Sequence, residues 1–339
     1  MPRGAWGASC RLNSEPALAE AVVLRQALRT WLLDPAADPS VRYRVLLELL
    51  DRPGDDEEAA PARRAIGRKG WAAEILRRQH PGGQWETAGT SQSELYRPKY
   101  IATNWCLLVL SDLGVSGTNP RVAKAVDLFL RRYASARAGL GFSGGEICFT
   151  GNAVRMLTRF GRLEDPRVQK AIDWIVRNQK ADGGWHCFPS PTGTLDGWEG
   201  MAAFAAIPRE ERSAAVRRAV ERGAEFYLAR GLLREGRKPY APWLRLHYPV
   251  HYYYDLLVGL DFLTALGYGD DRRMRPALDR LERMGNPAGT WNLDALHPDS
   301  EDPNYPVRRS YYSFGLEVPG RPSRWITAAA LSVLRRAGR

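Results

Sequence analysis

A chain of 339 residues with 44% hydrophobic and 26% charged residues has a globular composition, with room for one large or two ordinary domains. No apolar run reaches the roughly 18–20 residues of a membrane span, and the opening Met1-Pro-Arg-Gly-Ala-Trp6 lacks a signal-peptide pattern. The four cysteines, Cys10, Cys106, Cys148 and Cys187, are too few and too scattered for a disulfide framework, so reduced thiols and a cytoplasmic location are expected. The net charge of +11 raises nucleic acid or an acidic lipid surface as partners. However, its arginines are spread in pairs late in helical segments, such as Arg77-Arg78 and Arg335-Arg336, and no nucleic-acid motif accompanies them. Specific nucleic-acid binding is not expected, and oligomeric state is not legible.

In chain order, two helices are expected over Glu15–Leu33 and Ser40–Leu50, with Ser40 as the second N-cap. An acidic Pro/Gly segment over Asp51–Pro61 reads as a linker. From about Ala65 the pattern becomes helix, short loop, helix. Ile101–Gly114 is almost continuously apolar, and Asn119–Leu130 follows with a proline at its start and one apolar stripe. Cys148–Gly161 with Asp165–Ile175, Asp196–Ile207 with Glu210–Leu228, and His251–Gly267 with Asp271–Leu281 repeat that pair. Ser323–Arg335 is the last apolar helix, capped by Ser323. A period in the forties to fifties without strand alternation means stacked helical hairpins.

One helix of each pair is apolar on nearly all sides and the other is amphipathic. That is the division expected of inner and outer helices in a closed ring. The fold class expected is therefore all-α: an α/α toroid of about five to six hairpins. Residues 1–64 would form an N-terminal helical extension and linker, and 65–339 the toroid. The segment 287–322 has no helical period and is long enough to act as a lid, with Tyr311, Tyr312 and Phe314 available to cover the mouth.

The stretch Asn178-Gln-Lys-Ala-Asp-Gly-Gly-Trp-His-Cys187 ends one helix, turns on glycines and buries a tryptophan. Arg78-Gln-His-Pro-Gly-Gly-Gln-Trp85 and Met284-Gly-Asn-Pro-Ala-Gly-Thr-Trp291 are its weaker echoes. Gln179 to Trp185 resembles the glutamine–tryptophan repeat of squalene and hopene cyclases. It is also similar to the glycine–glycine–aromatic repeat of protein prenyltransferase β subunits. The resemblance covers roughly residues 66 to 337 and implies an α/α toroid acting on a hydrophobic, isoprenoid ligand.

In a ring of this kind the glycine–tryptophan loops and the inner-helix N-termini share one mouth. Cys148, Cys187, His186 and His251 fall there, and thiols with imidazoles are a zinc-type ligand set, so Zn2+ is the cofactor expected. Asp196 and Asp255 stand behind it as outer partners or as catalytic acids. The prenyltransferase resemblance places zinc ligands at an aspartate–glycine–cysteine stretch and at a later histidine. Leu195-Asp-Gly-Trp198 and His251–Leu260 are the matching positions, but Trp198 occupies the cysteine's place. The acidic cluster of the polyene cyclases has no counterpart on an inner helix. Trp105, Trp198, Tyr253 and Trp325 are candidates to line a hydrophobic cavity, where their π-faces suit a cationic intermediate. Two other functions fit the same pattern. One is a non-catalytic ring binding a peptide or protein. The other is a glycan-processing barrel using paired carboxylates among Asp196, Glu199 and Asp255.

Overall fold

The computed structural model describes residues 26–85, 95–135, 139–140, 145–235, 238–239, 241–296 and 316–339. Cys10, the first part of the Glu15–Leu33 helix, and Tyr311, Tyr312 and Phe314 lie outside the described residues. Those described are predominantly helical. In chain order the helices begin with α1 (Gln26–Leu32), α2 (Pro39–Glu48), α3 (Ala59–Ala65) and α4 (Gly70–Arg77). Then come α5 (Thr103–Asp112), α6 (Pro120–Tyr133), α7 (Ile147–Arg159), α8 (Pro166–Arg177) and α9 (Glu199–Ala206). The last are α10 (Ala214–Ala229), α11 (Leu256–Ala265), α12 (Arg275–Met284) and α13 (Arg324–Arg336). Three short antiparallel ribbons complete the set: β1 (Ala134–Ser135) with β2 (Gly139–Leu140), β3 (Arg234–Glu235) with β4 (Lys238–Pro239), and β5 (Trp291–Leu293) with β6 (Arg321–Ser323). No described helix is long and apolar enough to cross a membrane.

The division into two kinds of helix follows the hydrophobic pattern. Every residue of α5 is buried, and nearly all of α7, while α6, α8 and α12 bury one stripe each. A helix apolar all round has to be enclosed; an amphipathic one covers it and keeps its arginines in water. The enclosed helices touch in sequence, α5 to α7, α7 to α9, α9 to α11, and α11 to α13, and α13 then packs on α2. Their C-terminal ends are joined by ion pairs. Asp112 of α5 takes both Arg155 (3.6 Å) and Arg159 of α7. Asp261 of α11 takes Arg336 of α13 at 2.5 Å and Arg44 of α2 at 3.9 Å.

The three glycine–tryptophan turns have one geometry. In each, the tryptophan indole N–H donates to the carbonyl ten residues earlier: Trp85 to Ile75 (2.7 Å), Trp185 to Ile175 (2.9 Å) and Trp291 to Leu281 (2.8 Å). That bond satisfies a last-turn carbonyl of the preceding helix. Gly83, Gly183 and Gly289 sit at φ of 98°, 91° and 77°, the left-handed region that a side chain strains. Gln79 and Gln179 then reach from one hairpin to the next. Gln79 Nε2 donates to Gly83 O and to Arg121 O of α6, and Gln179 Nε2 to Gly183 O and Ala219 O of α10. The third turn has Gly285 at that position, so it keeps the turn without the bridging side chain. These turns lead to α5, α9 and α13. The intervening α7 and α11 are entered from the β1–β2 and β3–β4 ribbons, which is why the sequence repeat shows at every second hairpin.

Three local expectations change. Asp38, not Ser40, caps α2, its Oδ1 accepting Ser40 N at 2.8 Å while its Oδ2 accepts Trp71 N at 2.7 Å and so ties α2 to α4. Part of the acidic linker is helical, because Ala59 and Ala62 give α3 a face that packs on α2. The 287–322 segment is anchored at both ends by pairing of β5 with β6; its middle lies outside the described residues.

Helices α7 and α9 approach most closely at Gly151. A Cβ there would lie 2.5 Å from Glu199 O and 2.6 Å from Glu199 Cβ. Gly151→Ala is expected to cost about 1–3 kcal/mol by forcing the two helices apart. The shift of the urea midpoint measures it, and an unchanged midpoint would show that the crossing is not tight.

Candidate functional site

The N-terminal ends of α7 and α9 carry the residues with unfinished chemistry. Cys148 lies in the first turn of α7, and Cys187 follows Trp185 by two residues. The two thiols act on each other electrostatically, although the residues are far apart in sequence. The neighbouring Cys148 lowers the Cys187 thiol, while Cys187 and burial push the Cys148 thiol well up. Glu146 Oε2 stands 3.8 Å from Cys148 Sγ.

Behind the thiols, Glu199 opens α9 and is 0% exposed, and neither carboxyl oxygen has a hydrogen-bond partner. Burial pushes this carboxyl well above the usual carboxylate range. The neighbouring Cys187 and Asp196 push the same way, and Arg155 opposes them. Arg155 of α7 is itself buried, which lowers it. It lies over the Trp198 ring at 5.3 Å, and its Nε has no partner.

Residues 246–255 cross these helices as an irregular segment with bends at 248–249 and 251–252. Leu246 N donates to Asp294 Oδ2 (2.9 Å), and Tyr248 stacks on Trp325 of α13 at 4.6 Å. Val250 O accepts from Arg155 (3.2 Å), and His251 O accepts from Asn152 (2.5 Å), both on α7. Tyr252 O accepts from Trp198 (3.4 Å), while its hydroxyl meets Tyr100 Oη (2.7 Å) and Lys99 Nζ (3.0 Å). The segment ends at Asp255, the N-cap of α11. Asp255 Oδ1 accepts Val258 N at 2.8 Å, and its Oδ2 accepts His247 N at 3.0 Å and contacts His247 Nδ1 at 2.6 Å. The carboxylate accepts from Nδ1, and His247 Nε2 is buried without a hydrogen-bond partner. Asp255→Ala is expected to cost about 2–3 kcal/mol, through the lost cap and a buried His247 donor left without an acceptor. A thermal melt reads this, and an unshifted midpoint would reject it.

Of the ten residues expected to form the site, the structure brings the two cysteines together. His251 packs against the rings of Tyr100 (5.1 Å) and Trp105 (5.2 Å). It also precedes α11 by five residues instead of opening it, because Asp255 starts the helix as its cap and does not follow on its face. His186 Nδ1 accepts Phe188 N at 2.9 Å within its own loop. Zinc needs three or four ligands. Among the described residues no group of three or more His, Cys, Asp or Glu side chains is gathered for a metal ion.

Asp196 is exposed and accepts Trp243 Nε1 at 3.2 Å. Asp255 is occupied as described. Trp105, Trp198 and Trp325 are 2%, 1% and 5% exposed, so their faces meet the chain itself. Tyr253 is half-buried against His247. Two surface grooves, of about 470 and 420 Å3, are lined by none of the ten. Arg155, Asn152 and His247 belong to none of the sequence motifs. An arginine at a position facing the core of an otherwise enclosed helix was the available signal for the first.

No protein-family model matches the chain, and no curated protein matches it in sequence. Solved structures resemble it at low identity. A protein from Actinoplanes is 19% identical, with 89% of this chain and 90% of that one covered and a TM-score of 0.45. The type II terpene cyclase MstE from Scytonema, without ligand, is 15% identical over 88% and 86%, with a TM-score of 0.47. A polysaccharide lyase is 12% identical over 89% and 90%, with a TM-score of 0.47. Likenesses this distant assign neither family nor activity.

Proposed function

We propose that the chain is an α/α-toroid enzyme that uses Glu199 as a Brønsted acid toward an apolar, isoprenoid-like ligand. The observation that carries this reading is the Glu199 carboxyl, fully buried with both oxygens unbonded. A group that costs stability where it stands, with its acidity set by burial and by named neighbours, marks a reacting position. Ring closure is supported by α2, which packs on α13 while its Arg44 feels Asp112 of α5 and Asp261 of α11.

In this reading the carboxyl passes its proton to an alkene carbon, and the C–H bond forms at the expense of the π bond. The resulting cation is held by π-faces, for which Trp198 is nearest along the chain. Return of a proton from a neighbouring carbon to the carboxylate, with its C–H electron pair forming the new π bond, completes an isomerisation or cyclisation and restores the acid. Arg155 steadies the carboxylate left behind. The ligand enters when residues 246–255 give way, since in the structure the aromatic faces are covered.

The test is incubation of the purified chain with farnesol, geranylgeraniol or squalene in D2O, with products read by mass spectrometry. The expected result is one carbon-bound deuterium per product and at least a 100-fold loss in Glu199→Gln, the usual scale for removing a general acid. Absence of turnover together with absence of binding of all three lipids by the wild-type chain would overturn it.

A further inference from the structure

We propose that Asn152 and Arg155 form a hydroxyl-binding subsite on α7, which makes the ligand of the Glu199 site an isoprenoid-type alcohol rather than a hydrocarbon, an ether or an acid. The inference rests on the reading of that site as one for an apolar ligand, and adds the polar group that such a ligand carries. Asn152 and Arg155 are 5% and 6% exposed and stand three positions apart, on one face of α7. They hold adjacent carbonyls of the crossing segment: Asn152 Nδ2 donates to His251 O and Arg155 Nη2 to Val250 O. Each keeps one further hydrogen-bonding position, buried, that the chain does not use. Asn152 Oδ1 is an acceptor without a donor, and Arg155 Nε is a donor without an acceptor. Glu199 borders the same face. Gly151, one turn before Arg155, is where a Cβ would lie 2.6 Å from Glu199 Cβ, and Arg155 and Glu199 act on each other electrostatically.

Buried polar atoms are seldom left in this state, because each costs stability that a partner would return. The two unused positions select a ligand by its chemistry. One hydroxyl satisfies both, its oxygen accepting from Arg155 Nε and its proton going to Asn152 Oδ1. A hydrocarbon does neither, and an ether lacks the proton. An ammonium lacks the lone pair and would face a guanidinium. A carboxylate has no proton to give and would stand near the Glu199 carboxyl. The crossing segment closes again over a bound hydroxyl, because Val250 O and His251 O use the other nitrogens of the same two side chains. The role is one of binding and orientation, and no covalent bond is made or broken at these two residues.

Isothermal titration of the purified full chain with farnesol, farnesyl methyl ether, farnesene and farnesoic acid tests the subsite. Farnesol is expected to bind at least about tenfold more tightly than each of the others, the scale of one buried hydrogen bond left unmade. Asn152→Leu removes the acceptor of the hydroxyl proton, so in that variant farnesol and its methyl ether should bind alike. Should Asn152→Leu fail to fold, the wild-type comparison of alcohol with ether decides by itself. An ether or hydrocarbon bound as tightly as the alcohol, or the acid bound more tightly, would overturn the subsite. Deuterium incorporation from D2O in the same preparations separates this inference from the acid role of Glu199. Incorporation without preference for the alcohol removes the subsite and leaves the acid role. Preference without incorporation leaves the subsite and removes the acid role. Failure to bind any of the four would overturn both.

Discussion

Replacing Trp185 with alanine is expected to cost about 3–5 kcal/mol of folding free energy, the range for emptying a buried tryptophan site. The side chain is 1% exposed and is packed against two glycines that leave room for it. A Cβ on Gly200 would lie 2.9 Å from the ring, and one on Gly197 would lie 2.3 Å from the Trp185 carbonyl oxygen. The surroundings cannot fall into the vacated space, because α9 is already seated on α7 at Gly151. The mutation also removes the indole donor that satisfies Ile175 O at the end of α8. Trp185→Phe separates the two effects. It keeps most of the apolar volume and loses the N–H, and is expected to cost about 1–3 kcal/mol. Guanidinium unfolding of the three proteins gives both numbers. A Trp185→Ala midpoint equal to that of the wild type would show that the turn is not what holds the hairpins in register.

Glu199 is expected to make the protein less stable as the pH rises from the acid range toward neutrality. Its folded-state pKa is raised, by burial first and then by Cys187 and Asp196, whereas the unfolded chain ionises near the ordinary value of 4.5. Below that value the group is protonated in both states and contributes nothing. Above it, the unfolded chain releases a proton that the folded chain retains, so each further pH unit favours unfolding until the raised folded pKa is reached. Asp38 and Glu317 are also raised by burial and act in the same direction. The difference between wild type and Glu199→Gln isolates the Glu199 contribution. Glu199→Gln should have the shallower decline as the pH rises above the ordinary carboxyl value of 4.5. Glu199→Met, which fills the site without a polar atom, should exceed the wild type at neutral pH by about 1–3 kcal/mol. Urea titrations across that range measure both. Parallel wild-type and Glu199→Gln curves would mean that the carboxyl is solvated and would remove the basis for its acid role.

The pattern of helices was legible because hydrophobic periodicity is local. Ile101–Gly114 and Cys148–Gly161 announce enclosed helices by being apolar on every face, and α5 and α7 occupy them within two residues. The turns were legible because only glycine tolerates the left-handed backbone at positions 83, 183 and 289. The start of α11 was not, since His251-Tyr-Tyr-Tyr254 is as apolar as the helix it precedes. There the decision falls to Asp255, whose side chain caps the first turn and holds His247 at the same time.

The candidate site divides in the same way. From the amino-acid order alone follow the alternation of enclosed and covering helices, the glycine turns with their buried tryptophans, and the placing of Cys148 and Cys187 at helix-start and turn positions. Those depend on residues within a few positions of one another. Which thiols act on each other, that Glu199 lacks a partner, that Arg155 lies over Trp198, and that residues 246–255 cover the rings expected to face a ligand were decided by tertiary packing. Each joins groups tens of residues apart, and burial, which sets the acidity of Glu199 and of the thiols, is a property of everything packed around a side chain.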